Sequence, residues 1–260
     1  MEINGSVCAI VTGGASGLGL ATVKALRATG ARVALFDMNA ETGRKVAHEQ
    51  GATFCEVNVT SELSCVAGFD KARSANGQER ILVACAGGGG AGKIISRDKA
   101  TDEIRRLATE DYERVVQLNL VGSFRCAAMA AAGMATLAPL SDGERGVITL
   151  TSSVAAQDGQ IGQAAYGSAK AGINGLVLPV ARDLAVEGIR INSIMPGIFA
   201  TPLLLGMPQN VLDSLAASVP FPKRLGHPEE FASLVLELVR NTYFNGQSIR
   251  LDGAIRMAPR

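Results

Sequence analysis

Tryptophan is absent from this sequence, and histidine occurs only as His48 and His227. The two histidines stand far apart with no ligand-like neighbours, so no metal site is expected. The five cysteines (Cys8, Cys55, Cys65, Cys85 and Cys126) contain no C-x-x-C pair. They read as reduced, buried thiols acting as small hydrophobes. The formal net charge is only +1, with no basic block. Nucleic acid and an anionic membrane are therefore not expected as main partners. No window of about 18 uncharged apolar residues stands out, so no membrane span is expected. The opening "MEINGSVCAIVTGG" lacks a charged stretch followed by an apolar run and a cleavage site. The expectation is a cytoplasmic protein.

What is present points to a folded α/β domain. Hydrophobic residues make up 47% and charged residues 19% of the 260 positions, which argues against disorder and allows a large core. Apolar runs alternate with helical patterns from the start. "VCAIVTG" (7–13), "RVALFD" (32–37), "TFCEVNV" (53–59) and "ILVACAG" (81–87) read as strands, with helices at 18–30, 41–51 and 61–75 between them. The alternation continues through a long helix at 110–136, a strand at 146–152, a helix at 164–186 and a strand at 189–197. A helix at 228–240 and a strand at 248–253 follow. Nearly continuous apolar strands separated by helices predict one doubly wound parallel sheet of about seven strands, covered on both faces, in a single 1–260 domain. Residues 92–109 and 139–146 interrupt the rhythm and read as surface insertions.

Two glycine-rich stretches compete for a nucleotide. Gly87 to Lys93 fits G-x-x-x-x-G-K, the phosphate loop of nucleoside triphosphatases, but Ile94 stands where Ser or Thr would hold Mg²⁺. No such hydrolysis is expected. The earlier "TGGASGLG" (12–19) lies between a strand and a helix, with Gly13, Gly17 and Gly19 in the turn. Glycine there lets a phosphate approach backbone N–H groups at a helix N-terminus. Asp37 ends the second strand about twenty residues on, where a carboxylate accepts from ribose hydroxyls and repels a 2′-phosphate. No Arg or Lys lies in "GGASG" or directly after Asp37. NAD is therefore favoured over NADP; read alone, Asp37 is also an ordinary strand-end turn residue.

The most informative stretch is "TSSVAAQDGQIGQAAYGSAKAG" (151–172). Tyr166 and Lys170 fall four apart on one helix face, and Ser153 closes the preceding strand. Carbonyl/alcohol redox chemistry needs a proton donor beside the carbonyl oxygen. A phenol serves if its pKa falls well below about 10, and a nearby ammonium favours the phenolate.

The order of glycine loop, Asp37, "NV" (58–59), "CAG" (85–87), "LNLVG" (118–122), "SS" (152–153), "YGSAK" (166–170) and "MPG" (195–197) resembles the short-chain dehydrogenase/reductase family over essentially the whole chain. The resemblance implies Tyr166 as acid/base, Lys170 lowering its pKa and holding the nicotinamide ribose, and Ser153 bonding the substrate oxygen. It implies that Asn119 helps hold a relay water. For the cofactor it implies Gly13, Ser16, Gly17, Leu18 and Gly19 at the phosphates, and Asn58 and Val59 at the adenine. Cys85, Ala86 and Gly87 would pass the ribose; Pro196, Gly197, Phe199 and Thr201 would approach the nicotinamide. Two departures stand out: Asn58 replaces a common Asp, and Ala84 a common Asn. Segments such as "PGIFATPLL", "VPFPKRLG" and "IRLDGAIRMAP" narrow the likeness to the type 2 3-hydroxyacyl-CoA dehydrogenase subgroup (17β-hydroxysteroid dehydrogenase type 10-like). That implies NAD-linked interconversion of (S)-3-hydroxyacyl-CoA and 3-oxoacyl-CoA by a homotetramer acting in fatty acid metabolism. A hydroxysteroid or other secondary alcohol dehydrogenase, and a non-catalytic NAD-binding regulator, remain alternatives.

Around the substrate the reading divides. Residues 198–222 suit either a hinged lid or a packed amphipathic helix carrying Val211, Leu212 and Leu215. Gln163, one turn before Tyr166, suits substrate contact or simple packing. Lys93, Arg97, Lys99, Arg105 and Arg106 offer cations for a CoA moiety, but Asp98, Asp102 and Glu103 beside them favour a solvated loop.

Overall fold

Continuous apolar runs become the strands of one parallel sheet. The computed structural model describes residues 1–90 and 92–259, and of Leu203 only the backbone. Ala91, inside the Gly87–Lys93 match, and Arg260, at the end of the expected domain, lie outside the described residues. The first half runs β1 (Cys8–Thr12), α1 (Gly17–Ala28), β2 (Arg32–Asp37), α2 (Ala40–Gln50), β3 (Thr53–Glu56), α3 (Glu62–Asn76) and β4 (Ile81–Ala84). The middle holds β5 (Ile95–Arg97), β6 (Ile104–Arg106), α4 (Thr109–Val116) and α5 (Gly122–Met134). Next come β7 (Gly146–Thr151), α6 (Ala164–Asp183) and β8 (Ile189–Pro196). Last are α7 (Pro202–Leu205), α8 (Gln209–Ser218), α9 (Pro228–Arg240) and β9 (Ser248–Leu251).

Seven strands pair in parallel in the order β3-β2-β1-β4-β7-β8-β9. β1, β4, β7 and β8 are buried along their whole length, as strands covered on both faces must be. On one face Phe36 and Phe69 meet edge to face at 5.3 Å, joined by Cys126, Met134 and Ile173. On the other, Val23 and Leu26 of α1 pack with Phe231 and Leu238 of α9. Each such large side chain contributes about 1.5–3 kcal/mol by leaving water. The order reverses direction between β1 and β4, which opens a crevice at the carboxyl ends of those strands.

Three expectations are revised. The long helix is not one regular helix: a single π turn, Gln117–Val121, joins α4 to α5. A one-residue bulge of this kind leaves the apolar period nearly intact, so the sequence does not show it. Residues Thr109–Met134 together are long and apolar enough to cross a membrane by length and composition, which the count of uncharged windows did not anticipate. In the fold α5 packs on α3, β4 and β7, and α4 packs on α6. The 92–109 insertion is an antiparallel β5–β6 hairpin, exposed along both strands.

The 139–146 segment is only partly a surface turn. Glu144 is 5% exposed, and its carboxylate accepts from Arg190 of β8 at 2.7 and 2.9 Å. The same guanidinium donates to the carbonyls of Leu238, Val239 and Phe244. A buried carboxylate is tolerated only when paired and hydrogen-bonded, which this arginine provides. Arg190→Ala is expected to lower stability by about 3 kcal/mol, because it leaves buried Glu144 with the Met1 ammonium, 3.0 Å from Oε2, as its one cationic partner. Denaturant unfolding checks this.

Candidate active site

A cavity of about 740 Å³ opens at the carboxyl ends of β1, β4, β7 and β8. Its floor is the β1–α1 loop. Gly13 (φ 63°) and Gly17 (φ 51°) adopt left-handed backbone there, which side chains resist. A Cβ on Gly13 would lie 2.9 Å from the backbone of Ala86, and one on Gly19 would run into the Gly13 carbonyl. Ser16, at the N-cap of α1, makes no capping bond with its side chain. The first-turn N–H groups of α1 therefore face the cavity without that partner, as a phosphate site requires. Gly13, Ser16, Gly17, Leu18 and Gly19 all line it.

Asp37 reaches the same cavity from the end of β2. Its carboxylate accepts from the N–H of Ala15 at 3.1 Å and of Asn39 at 3.0 Å, which fixes its direction. Among the described residues lining the cavity, Lys170 is the only Lys or Arg. The wall beside Asp37 therefore has no cation to offer a 2′-phosphate. Val59 lines the cavity as expected, with Val57 and Phe36, which sequence reasoning missed.

Asn58 does not line it. Its Oδ1 accepts from the Thr60 N–H at 3.0 Å and hydroxyl at 2.8 Å, closing a local turn ahead of α3. This turn fixes the direction of the Asn58 carboxamide beside Val59, which does line the cavity. Asn119 sits deeper than the cavity lining. It is fully buried in the π turn. Its Nδ2 donates to the carbonyls of Gly88 and Val115, both at 3.0 Å, and its Oδ1 accepts from the Gly88 N–H at 3.2 Å. Its own carbonyl accepts from Ser123 at 2.8 Å. Each polar group of the Asn119 side chain, and its carbonyl, thus has a protein partner, and each oxygen keeps a second lone pair. Its position is that of a clamp on the Gly87–Gly90 wall. A Cβ on Gly87 would sit 2.8 Å from Asn119 Oδ1 and 3.4 Å from Lys170 Nζ, so only glycine fits between them.

The chemistry-bearing groups converge at the end of β7. Ser153 leaves the strand in extended backbone and its Oγ accepts from the Ala155 N–H at 3.1 Å. Tyr166 and Ser153 line the same cavity, and the Ser153 hydroxyl favours the ionised phenol. Lys170, one turn further along α6, places Nζ 5.6 Å from the centre of the Tyr166 ring and donates to the Thr151 carbonyl at 2.8 Å. Ser152 donates back to the Lys170 carbonyl at 2.9 Å. Burial pulls the Lys170 ammonium down to about 8. Burial also pushes the Tyr166 phenol up, with the Ser153 hydroxyl pulling it back. Burial is the larger influence on Tyr166, and Ser153 is the group that opposes it, where the sequence pointed to Lys170.

Cys85, Ala86 and Gly87 form the next part of the wall. Burial pushes the Cys85 thiol up to about 11, so it acts as a small apolar surface rather than a nucleophile. Pro196, Gly197, Phe199 and Thr201 line the far side. Thr201 approaches the position a Gly17 Cβ would take to 3.4 Å. The groove fits a dinucleotide: a glycine cradle with an uncapped helix start at one end, a carboxylate at the adenosine side, and the Ser153–Tyr166–Lys170 group at the other.

Beyond that group the wall turns apolar. Ile198, Leu204, Met207 and Met257 line it, as does Gln163, whose Oε1 accepts from the Gln160 N–H at 3.0 Å. The 198–222 segment divides into α7 and α8. No residue of α8 is fully buried; Val211, Leu212 and Leu215 are half-buried. Met257 was missed, because it arrives from beyond β9. Lys93, Arg97, Lys99, Arg105 and Arg106 do not line the cavity, and Arg97 and Arg105 pair with Asp102 and Glu103 in solvent. The Gly87–Lys93 match is therefore one wall of the crevice followed by an exposed lysine.

Residues 7–210 match the family model described as short chain dehydrogenase. The chain is 47% identical over 252 residues to a 3-hydroxyacyl-CoA dehydrogenase type-2 of Drosophila melanogaster, spanning 96% of this chain and 97% of that one. The crystal structure of a 3-hydroxyacyl-CoA dehydrogenase type-2 from Mycobacterium avium superposes with a TM-score of 0.93 at 43% identity, covering 98% of each chain. A 7α-hydroxysteroid dehydrogenase complexed with NADH and 7-oxo glycochenodeoxycholic acid superposes with a TM-score of 0.86 at 29% identity, covering 100% of this chain and 97% of that one.

The buried lysine carries a pH signature. Between about pH 8 and 10.5 the unfolded chain keeps a proton on Lys170 that the folded chain has released. Folding is therefore penalised at and below pH 8, by an amount of the order of 3 kcal/mol, and the penalty fades as pH rises through that window. The raised thiols of Cys55 and Cys85 act in the opposite sense above pH 9. The difference between the native chain and Lys170→Met isolates the lysine. Its stability advantage over the native chain is expected to shrink from pH 8 to 10.5, as read by denaturant titration.

Proposed function

The chain belongs to the short-chain dehydrogenase family, and from that premise we propose that it interconverts (S)-3-hydroxyacyl-CoA and 3-oxoacyl-CoA with NAD. The carrying observation is the Ser153–Tyr166–Lys170 group at the joint between a dinucleotide-shaped groove and an apolar wall. Likeness to type-2 3-hydroxyacyl-CoA dehydrogenases over nearly the whole chain supports the acyl-CoA class. When bound, the nicotinamide supplies the hydride exchange at the substrate carbon. The residues suited to hold the cofactor are the Gly13–Gly19 loop at the phosphates, Asp37 at the adenosine ribose, Val59 at the adenine and Thr201 near the nicotinamide.

The protein's own groups handle the oxygen. Ser153 and Tyr166 both face the cavity, so an oxygen placed between them receives both hydroxyls. Tyr166 gives its proton to a carbonyl oxygen, or takes one from an alcohol. Lys170, held by the Thr151 carbonyl, keeps a positive charge beside the phenol and stabilises the phenolate as it forms. The apolar wall excludes water from this exchange. A homotetramer and a cytoplasmic setting, with a place in fatty acid metabolism, complete the reading.

The apolar wall also suits a steroid ketone, and the superposition on a hydroxysteroid dehydrogenase supports that second reading. The intact Ser153–Tyr166–Lys170 group favours an enzyme over a non-catalytic cofactor-binding regulator. Comparing kcat/KM for acetoacetyl-CoA, a steroid ketone and simple ketones separates the readings. Acetoacetyl-CoA is expected to lead, and negligible turnover of every acyl-CoA would sink the proposal. Tyr166→Phe is expected to lower kcat by about 10²–10⁴-fold while NADH fluorescence titration still shows binding.

Asp37 carries the cofactor choice. Asp37→Ala is expected to weaken NAD use by roughly tenfold or more, the worth of a hydrogen bond to a charged group. It should also relax discrimination against NADP. An unchanged ratio of kcat/KM for NAD and NADP would remove Asp37 from this role.

A further inference from the structure

The chain beyond β9 returns to the cavity under tight control. Arg250 closes on it: its guanidinium donates to Asp158 at 2.6 Å, to Asp252 at 2.7 Å, to Gln157 at 2.7 Å and to the Ile255 carbonyl at 2.9 Å. Only about 15% of that side chain is exposed. Charge-assisted bonds of this length are strong and directional. On the far side of the same segment, Gln160 donates to the Ala258 carbonyl at 2.9 Å and the Ile161 N–H to the Pro259 carbonyl at 3.0 Å. The backbone N–H of Met257 is also directed at the Asp158 carboxylate.

Met257 is therefore held from before and after, and it lines the cavity with Leu204 and Met207. The residues that hold it, Asp158 to Ile161, belong to the loop between Ser153 and Tyr166. The anchor thus sets the apolar wall at a fixed distance from the reacting oxygen. The thioether side chains of Met207 and Met257 shape themselves to a flexible chain.

We infer that Met257, anchored through Arg250 to Asp158, is a specificity-determining residue that sets the length of acyl chain the cavity accepts. The inference deepens the proposed reading of the substrate and rests on it for the acyl-CoA class alone. A purely structural anchor would change stability without changing the ranking of substrates by length.

The experiment measures kcat/KM with NADH for 3-oxoacyl-CoA substrates of short, medium and long chain, in parallel with straight-chain 2-alkanones of matching length. Met257→Ala is expected to raise the long-to-short ratio by about tenfold, and Met257→Trp to lower it by about as much. Asp158→Asn is expected to move the ratio in the direction of Met257→Ala. Combining the two should give less than the product of their separate effects, because they act on one wall. Variants that bind NADH but keep the native length profile in both series would overturn the inference. Turnover of the alkanones alone would remove the acyl-CoA reading and leave the length test to them. Turnover of neither series would overturn both.

Discussion

Lys170 occupies a place where an amine has almost no water. Its Nζ finds the Thr151 carbonyl at the end of β7, and Ser152 answers by donating to the Lys170 carbonyl. These two bonds fasten α6 to the strand that precedes it, and most of the site hangs from that joint. Ser153 and Tyr166 meet because the loop between them must span from the strand end to the first turn of α6. Gly87 must be glycine because Lys170 and Asn119 leave no room for a Cβ. Leaving the amine poorly solvated lowers its pKa rather than breaking the joint, since the neutral form still donates to Thr151.

Much of this was legible because it is written in local patterns. The Rossmann-type parallel sheet follows from apolar runs at regular spacing, and the glycine loop from its position between a strand and a helix. Asp37 follows from its distance along the chain, and Tyr166 with Lys170 from helical periodicity. Each of these features is decided within a few residues or a fixed spacing. The less legible ones depend on partners remote in sequence. Nothing near Glu144 announces that Arg190 will bury it. Nothing in "RMAP" announces that Met257 will reach the cavity, because Arg250 and Asp158 are far apart in the chain. The Asn58 turn is local, since its neighbour Thr60 donates twice to the carboxamide oxygen, but a sequence pattern does not announce which way that side chain points.

Asn119 shows how a single backbone irregularity governs a distant surface. Its π turn rotates a carboxamide inward, and that carboxamide binds both backbone groups of Gly88. The glycine run that first resembled a triphosphate loop is thereby drawn along the crevice as a wall. Its lack of side chains gives a dinucleotide room, and its lysine is left outside in solvent.

Arg190 has a consequence for how the molecule opens. A helix normally frays from its last turn, where carbonyls lack partners. Here the carbonyls of Leu238 and Val239 are held by a guanidinium rooted in β8, a fully buried strand, and locked to a buried carboxylate. The end of α9 cannot loosen without exposing that pair. The α9 end and the turn carrying Glu144 should therefore release together, as one cooperative unit with slow hydrogen exchange.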